Sequence, residues 1–140
     1  MDIYNKILEL ILLFGGVLAV IILINKYQTK IHKVKVIHAK TKKDIQVGLM
    51  FIKKRLPENG GMLFHTGYST PSFWMKNTYI PLDVIFLNKD MKVIGFSSNN
   101  TPFSKKNIRI NKPSSYVLEM NGGWGIKNDL KIGDRIEIIQ

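Results

Sequence analysis

The run from Ile7 to Ile24 constrains this chain more than any other. It reads ILELILLFGGVLAVIILI, and Glu9 is its one charged side chain. As an α-helix the run rises about 27 Å, close to the thickness of a bilayer's hydrocarbon layer. A helix buried in a soluble core would carry a polar stripe, and Leu10 to Ile24 offers no polar side chain. The Gly15-Gly16 pair is better tolerated in lipid than in a soluble helix. A cleaved signal peptide would present small residues after the run, where this chain has Leu23-Ile24-Asn25-Lys26. Residues 1–25 are therefore expected to form an uncleaved, single-pass membrane anchor, and any water-soluble fold must come from residues 26–140.

Those residues are first basic, then nearly balanced. Residues 26–56 carry ten Lys/Arg against one acid, or +9; residues 57–140 carry ten against seven, or +3; residues 1–25 come to −1. Most of the net charge of +11 thus resides in a collar from Lys26 to Arg55, which carries +9. Such a segment beside a membrane attracts anionic headgroups at about 1 kcal/mol per residue. Nucleic acid is a poorer partner, because only Tyr27 and Phe51 in the collar offer rings for base stacking. The partners expected are thus membrane lipids, through residues 7–24 and the collar. Residues 26–33 read as a basic linker and residues 34–140 as one globular domain. Lys26, Lys30, Lys33 and Lys35 outweigh Lys6 and the amino terminus, which Asp2 opposes, so the positive-inside rule leans toward a cytoplasmic domain.

Within that domain, short apolar runs separated by turn residues predict strands. Val34 to Ala39 alternates as a first strand, and Thr41 caps a short helix over roughly Lys42 to Phe51, with Gly48 against its interior. Leu56 to Gly61 is a turn, and Met62-Leu63-Phe64 a strand leading into a loop that ends at Pro71. Ser72 to Asn77, Asp83 to Asn88, Val93 to Ser97, Tyr116 to Met120 and Arg135 to Ile139 read as further strands. Asn99 to Ser115 reads as a long surface loop, and Trp124 to Leu130 as a second short helix. The fold class expected is mainly β: a compact barrel- or sandwich-like domain of about seven short strands with two short helices, preceded by one transmembrane helix.

The densest stretch is Phe73-Trp74-Met75-Lys76-Asn77-Thr78 followed by Ile80-Pro81-Leu82-Asp83 and Phe86. With Gly48-Leu49-Met50, Gly61-Met62-Leu63-Phe64, Tyr116 to Gly122 and Gly133-Asp134-Arg135, it closely resembles the domain-of-unknown-function 192 family, over roughly Val34 to Ile139. The resemblance implies a small β-rich domain, often behind a signal sequence or anchor in bacteria and archaea, and brings no established activity. It also implies an extracytoplasmic domain, against the lean of the lysines. Ile52 departs from the pattern where the family commonly has an arginine, for which Lys53 is the nearest substitute.

Chemistry is sparse. The chain has no cysteine, so thiolate metal sites and cysteine nucleophiles are excluded. His32, His38 and His65 show no metal-ligand spacing, no Gly-x-Ser-x-Gly elbow is present, and the glycine pairs match no phosphate loop; no metal or cofactor is expected. Met50, Met62, Met75 and Met120 read as gap-filling core sulfur rather than cuprous ligands. Trp74 beside Lys76 and Asn77 suits an unknown small ligand, a glycan or a peptide, and the candidate ligand-binding residues are Trp74, Lys76, Asn77, Asp83 and Glu119. Asp83, following the Pro81 turn, also reads as a structural acceptor of backbone N–H groups from the Asn77-Thr78-Tyr79 loop, and Asp134, in Gly133-Asp134-Arg135, is expected to fix the last turn. The reading favoured is a non-enzymatic, membrane-anchored binding module at the cell envelope. The alternative is a hydrolase or lyase using Asp83 or Glu119 with Lys76, in which a Lys76–Glu119 contact would perturb both groups.

Overall fold

The computed structural model describes residues 3–140, with the side chains of Tyr4, Asn25, Lys26 and Tyr27 left aside. The Asp2 and amino-terminal charges weighed above, and the Lys26 side chain, lie outside the described residues. The apolar run forms helix α1 (Ile3–Tyr27). Its stretch Asn5–Ile24 has a mean hydropathy of 3.0 and is unburied by the rest of the chain. Length and composition allow it to cross a membrane, a test that a signal sequence also passes.

Beyond it come β1 (Ile31–Ala39), α2 (Lys42–Val47), β2 (Gly60–Ser69), β3 (Leu82–Leu87), β4 (Val93–Asn100), β5 (Ser114–Asn121), α3 (Trp124–Lys127) and β6 (Arg135–Ile138). The strands make one sheet in the order β4-β3-β5-β2-β1-β6. β1 runs parallel to both β2 and β6, and the other pairs are antiparallel. The sheet curls until its two edge strands meet: an isolated bridge joins Lys92, just before β4, to Arg135 at the start of β6. Val93 N–H donates to Asp134 O and Ile136 N–H to Met91 O there. The result is a half-barrel, as the pattern of short strands foretold.

Two apolar clusters sandwich the sheet. Val34, Leu63, Ile85, Leu87, Leu118, Met120 and Ile136 fill the hollow of the curl with Trp124 and Leu130. Phe64, Leu82, Val84, Phe86 and Val117 face the other way, under Leu49, Met75, Ile80 and Ile108. β3 lies between them, and all six of its residues are buried. That is why Leu82 to Leu87 reads as a continuous apolar run apart from Asp83.

The structure differs from expectation in two strands. β2 runs on through Ser69, where a loop was expected from His65, and the sheet has six strands among the described residues instead of about seven because Ser72 to Asn77 does not join it. Ser72 to Met75 is extended but touches a ladder only at Phe73, which bridges to Ile108, and Lys76-Asn77 is already a turn. Phe73 and Met75 turn inward while Trp74 and Lys76 turn out, so the two-residue alternation is real. The segment lies over the outer face of the sheet instead of within it, held by Met75 N–H to Ser104 O and by the Phe73–Ile108 pair. Asn77, at φ +53, then turns the chain away. Helix α2 also stops early. Its Thr41–Asp44 capping box is present, but Gly48 at φ +49 ends it. A Cβ on Gly48 would come within 3.0 Å of the Phe64 ring, so both conformation and space favour glycine.

Candidate ligand-binding pocket

The segment laid across the sheet and the end of α2 do not close on each other. Between them lies a pocket of about 270 Å³. Phe64 and Phe73, in edge-to-face contact at 5.0 Å, form its apolar wall, and Gly48 to Met50 form another. Trp74 stands at its rim, 45% exposed. Ser72, Thr78 and Gln46 add polar groups, and Glu119 of β5 is the only acid lining it among the described residues.

Glu119 is the unusual member. It alternates with Leu118 and Met120, which enter the inner cluster, so it shares the outer face with Val117. It is 5% exposed, yet among the described residues no hydrogen-bond donor reaches its carboxyl and no cationic nitrogen lies within 4.0 Å. Burial in this apolar setting pushes its carboxyl up from 4.5 to about 8. Its oxygens are not sealed off: they open onto the pocket, and the fully buried side-chain polar atom left without a partner among the described residues is Ser114 Oγ, not the Glu119 carboxyl.

Around this centre the other expected residues divide. The Lys76 ammonium sits over the Trp74 ring at 5.1 Å, a cation–π contact at the rim. It does not meet Glu119: Lys76 is exposed on the outward side of its segment, while Glu119 points up from the sheet beneath. Asn77 works one residue further out. Its carbonyl accepts from Phe51 N–H at 2.8 Å, and its side-chain amide lies 3.9 Å from the Met50 sulfur, so it ties the two walls together. Asp83 belongs elsewhere. Its side chain points to the inner face and accepts from the backbone N–H groups of Asn99 (2.7 Å), Gly123 (3.0 Å) and Gly125 (2.7 Å). That carboxyl pins β4 and α3 to β3 and leaves no room for a substrate. The structure thus puts Trp74 and Glu119 on the lining of one pocket, with Lys76 and Asn77 behind the rim, and separates Asp83 from all of them.

Two arrangements escaped sequence reasoning. His38 Nδ1 and His65 Nε2 lie 2.9 Å apart, with the His65 ring edge-to-face on Tyr116. Only the parallel β1–β2 register brings residues so distant in sequence together, and spacing carries no trace of it. Burial and the neighbouring His38 hold the His65 imidazole below its ordinary value. The second is His32, buried, with Nε2 2.8 Å from Asp134 Oδ2. Asp134 fixes the last turn as expected, by accepting Lys131 N–H and Lys30 N–H. No group of three or more metal-ligating side chains occurs among the described residues.

Comparison with known proteins agrees with this architecture. The profile of DUF192, described as Uncharacterized ACR, matches residues 23–138. A protein of unknown function from Novosphingobium aromaticivorans is 34% identical, with a TM-score of 0.70 over 73% of each chain. A Sinorhizobium meliloti protein described as a candidate transcription regulator is 34% identical, with a TM-score of 0.69 over 71% of this chain and 78% of that one. A search of functionally curated proteins finds no match.

Proposed function

This chain belongs to the DUF192 family, for which no activity is established, and on that premise we propose that it is a membrane-tethered, non-enzymatic binding module. Helix α1 is the tether, the half-barrel is the head, and the pocket beneath Trp74 takes a small molecule, a sugar or a peptide end. The observation that carries the reading is Glu119: a nearly buried carboxyl without a protein partner, facing an open pocket. Such a group is completed by a ligand that donates a hydrogen bond or brings a positive charge. Trp74 supplies a flat apolar face for the rest of the ligand, and Lys76 stiffens that ring from the solvent side.

The geometry gives the enzyme alternative less support. General acid–base chemistry needs a second titratable group near the first. Lys76 is engaged with Trp74, and Asp83 is saturated by backbone donors on the opposite face. We place the head outside the cytoplasm, following the family resemblance over the flanking lysines; a reporter fused to the carboxyl terminus in intact cells reads the side directly.

The test is a thermal-shift screen of the full chain in detergent against amines, glycans and short peptides, repeated with Trp74→Ala and Glu119→Gln. A ligand whose effect disappears in both variants supports the reading. Ligands indifferent to both, or none at all, would sink it.

A further inference from the structure

β1 changes partners halfway along. Its first half, Ile31 to Val34, pairs with β6, and its second half, Lys35 to Ala39, pairs with β2. Where one neighbour ends and the other begins, a hollow of about 490 Å³ opens, away from the Glu119 pocket. Lys33, Lys35 and Ile37 of β1 line it, with Leu56 and Pro57 on one side and Ile139 on the other. Both sides are fastened to the strand: Ile139 N–H donates to Val34 O, and Lys35 N–H donates to Asn59 O. The hollow is therefore part of the fold and not a gap between loose ends.

The face of β1 that carries it reads Ile31, Lys33, Lys35, Ile37, and all four are exposed, the two isoleucines by 59% and 65%. Alternating strand geometry puts these side chains on one surface, so two apolar and two cationic groups form a stripe. A stripe of that composition matches one environment well, the junction of acyl chains and anionic headgroups. Chain connectivity brings it there. Only Gln28 to Lys30 separate the end of α1 from the start of β1, a span of at most about 14 Å when fully extended. With α1 in the bilayer, Ile31 cannot leave the neighbourhood of the headgroups.

We propose that this stripe and hollow dock the head onto the membrane by taking an anionic phospholipid, its headgroup on Lys33 and Lys35 and the upper part of an acyl chain against Ile37, Leu56 and Ile139. The inference rests on reading α1 as the tether. It makes the first strand a second membrane contact and fixes which face of the half-barrel looks at the bilayer.

The absence of native cysteine permits a direct test. A bimane label is placed at Ile37→Cys, and separately at Tyr68→Cys, a position 83% exposed near the far end of β2. The full chain is reconstituted in vesicles of phosphatidylcholine alone or with phosphatidylglycerol, each doped with lipid nitroxide-labelled high on the acyl chain. Docking predicts co-flotation in both vesicles, with strong quenching at position 37 that deepens with phosphatidylglycerol, and little at position 68. Lys33→Gln and Lys35→Gln are expected each to lower the odds of docking about fivefold. Co-flotation with equal quenching at the two positions, or quenching blind to both lysines, overturns docking and leaves the tether standing. Quenching absent, together with oxidative cross-linking between copies of the unlabelled Ile37→Cys chain, makes the stripe a self-association face and overturns docking too. Failure to co-float overturns tether and docking together.

Discussion

Asp83 and Glu119 sit on neighbouring strands of one sheet, almost opposite each other: Asp83 pairs with Met120, and Val84 with Glu119. Both are buried, at 1% and 5% exposure. They differ in the face they occupy. Asp83 turns into the hollow of the curl, where three backbone N–H groups converge on it. Glu119 turns outward into a pocket walled largely by rings and methylenes, where none do among the described residues. The same chemical group is a structural clamp on one side of the sheet and, on the other, a carboxyl without protein donors among the described residues. Burial of a carboxyl therefore says little until its donors are counted.

The largest effect expected is at the clamp. Asp83→Ala orphans three backbone N–H groups in or near the core and should cost about 3 kcal/mol or more in urea unfolding. A loss under about 1 kcal/mol would erase the contrast with Glu119.

At Glu119 the sign reverses. Its folded carboxyl titrates near 8 and its unfolded one near 4.5, so the folded state holds the extra proton between those values. Its contribution to stability is greatest below pH 4.5 and falls as pH rises toward 8, by up to about 1.4 kcal/mol per pH unit. Glu119→Gln should remove that slope and raise stability at pH 8 by something on the order of 2 kcal/mol, while abolishing ligand binding. A variant less stable than the parent at pH 8 would mean that Glu119 has a partner in the protein.

Asp134 sharpens the contrast from the side of the clamp. Burial raises its carboxyl, but Lys30 N–H, His32 and Lys131 N–H outweigh burial and hold it below 3.8. Its stabilisation is complete above that value and is lost as pH falls through the lower, folded one. Acid unfolding of His32→Ala should show a shallower loss below pH 3.8, with a cost of about 1 kcal/mol at neutral pH. Smallest of all is Trp74→Ala, which removes a half-exposed ring and should change stability by less than about 1 kcal/mol while eliminating the ligand response.

How much of this the sequence carried depends on range. The apolar helix, the Thr41 cap and the buried β3 run are local and were legible, because composition and short periodicity specify them. The alternation at Phe73 to Lys76 was also legible, but a two-residue period cannot tell a strand inside a sheet from an extended segment laid over it. Hydrogen-bond partners decided that, and they come from Ser104 and Ile108, far along the chain. Alternation in β5 likewise put Glu119 on a face without saying what would meet it there. The expected Lys76 contact gave way to Trp74, two residues away and already within reach. Asp83 was legible as an acceptor of backbone N–H groups, but its donors are Asn99, Gly123 and Gly125 and not the expected Asn77-Thr78-Tyr79 loop. Like the His38–His65 pair, they depend on strand register and on loops converging from separate elements, which no local pattern encodes.

The most direct test is carboxyl NMR of the chain labelled with ¹³C-glutamate, titrated from acid to mild base. The chain has four glutamates, Glu9, Glu58, Glu119 and Glu137, so assignment by Glu119→Gln is simple. A Glu119 without protein donors predicts one resonance that titrates near 8 and is absent from the variant; the proposed binding role adds that it moves to lower pH when a cationic ligand binds. A Glu119 resonance titrating in the ordinary range near 4.5 would contradict it, because the carboxyl would then already have its donors.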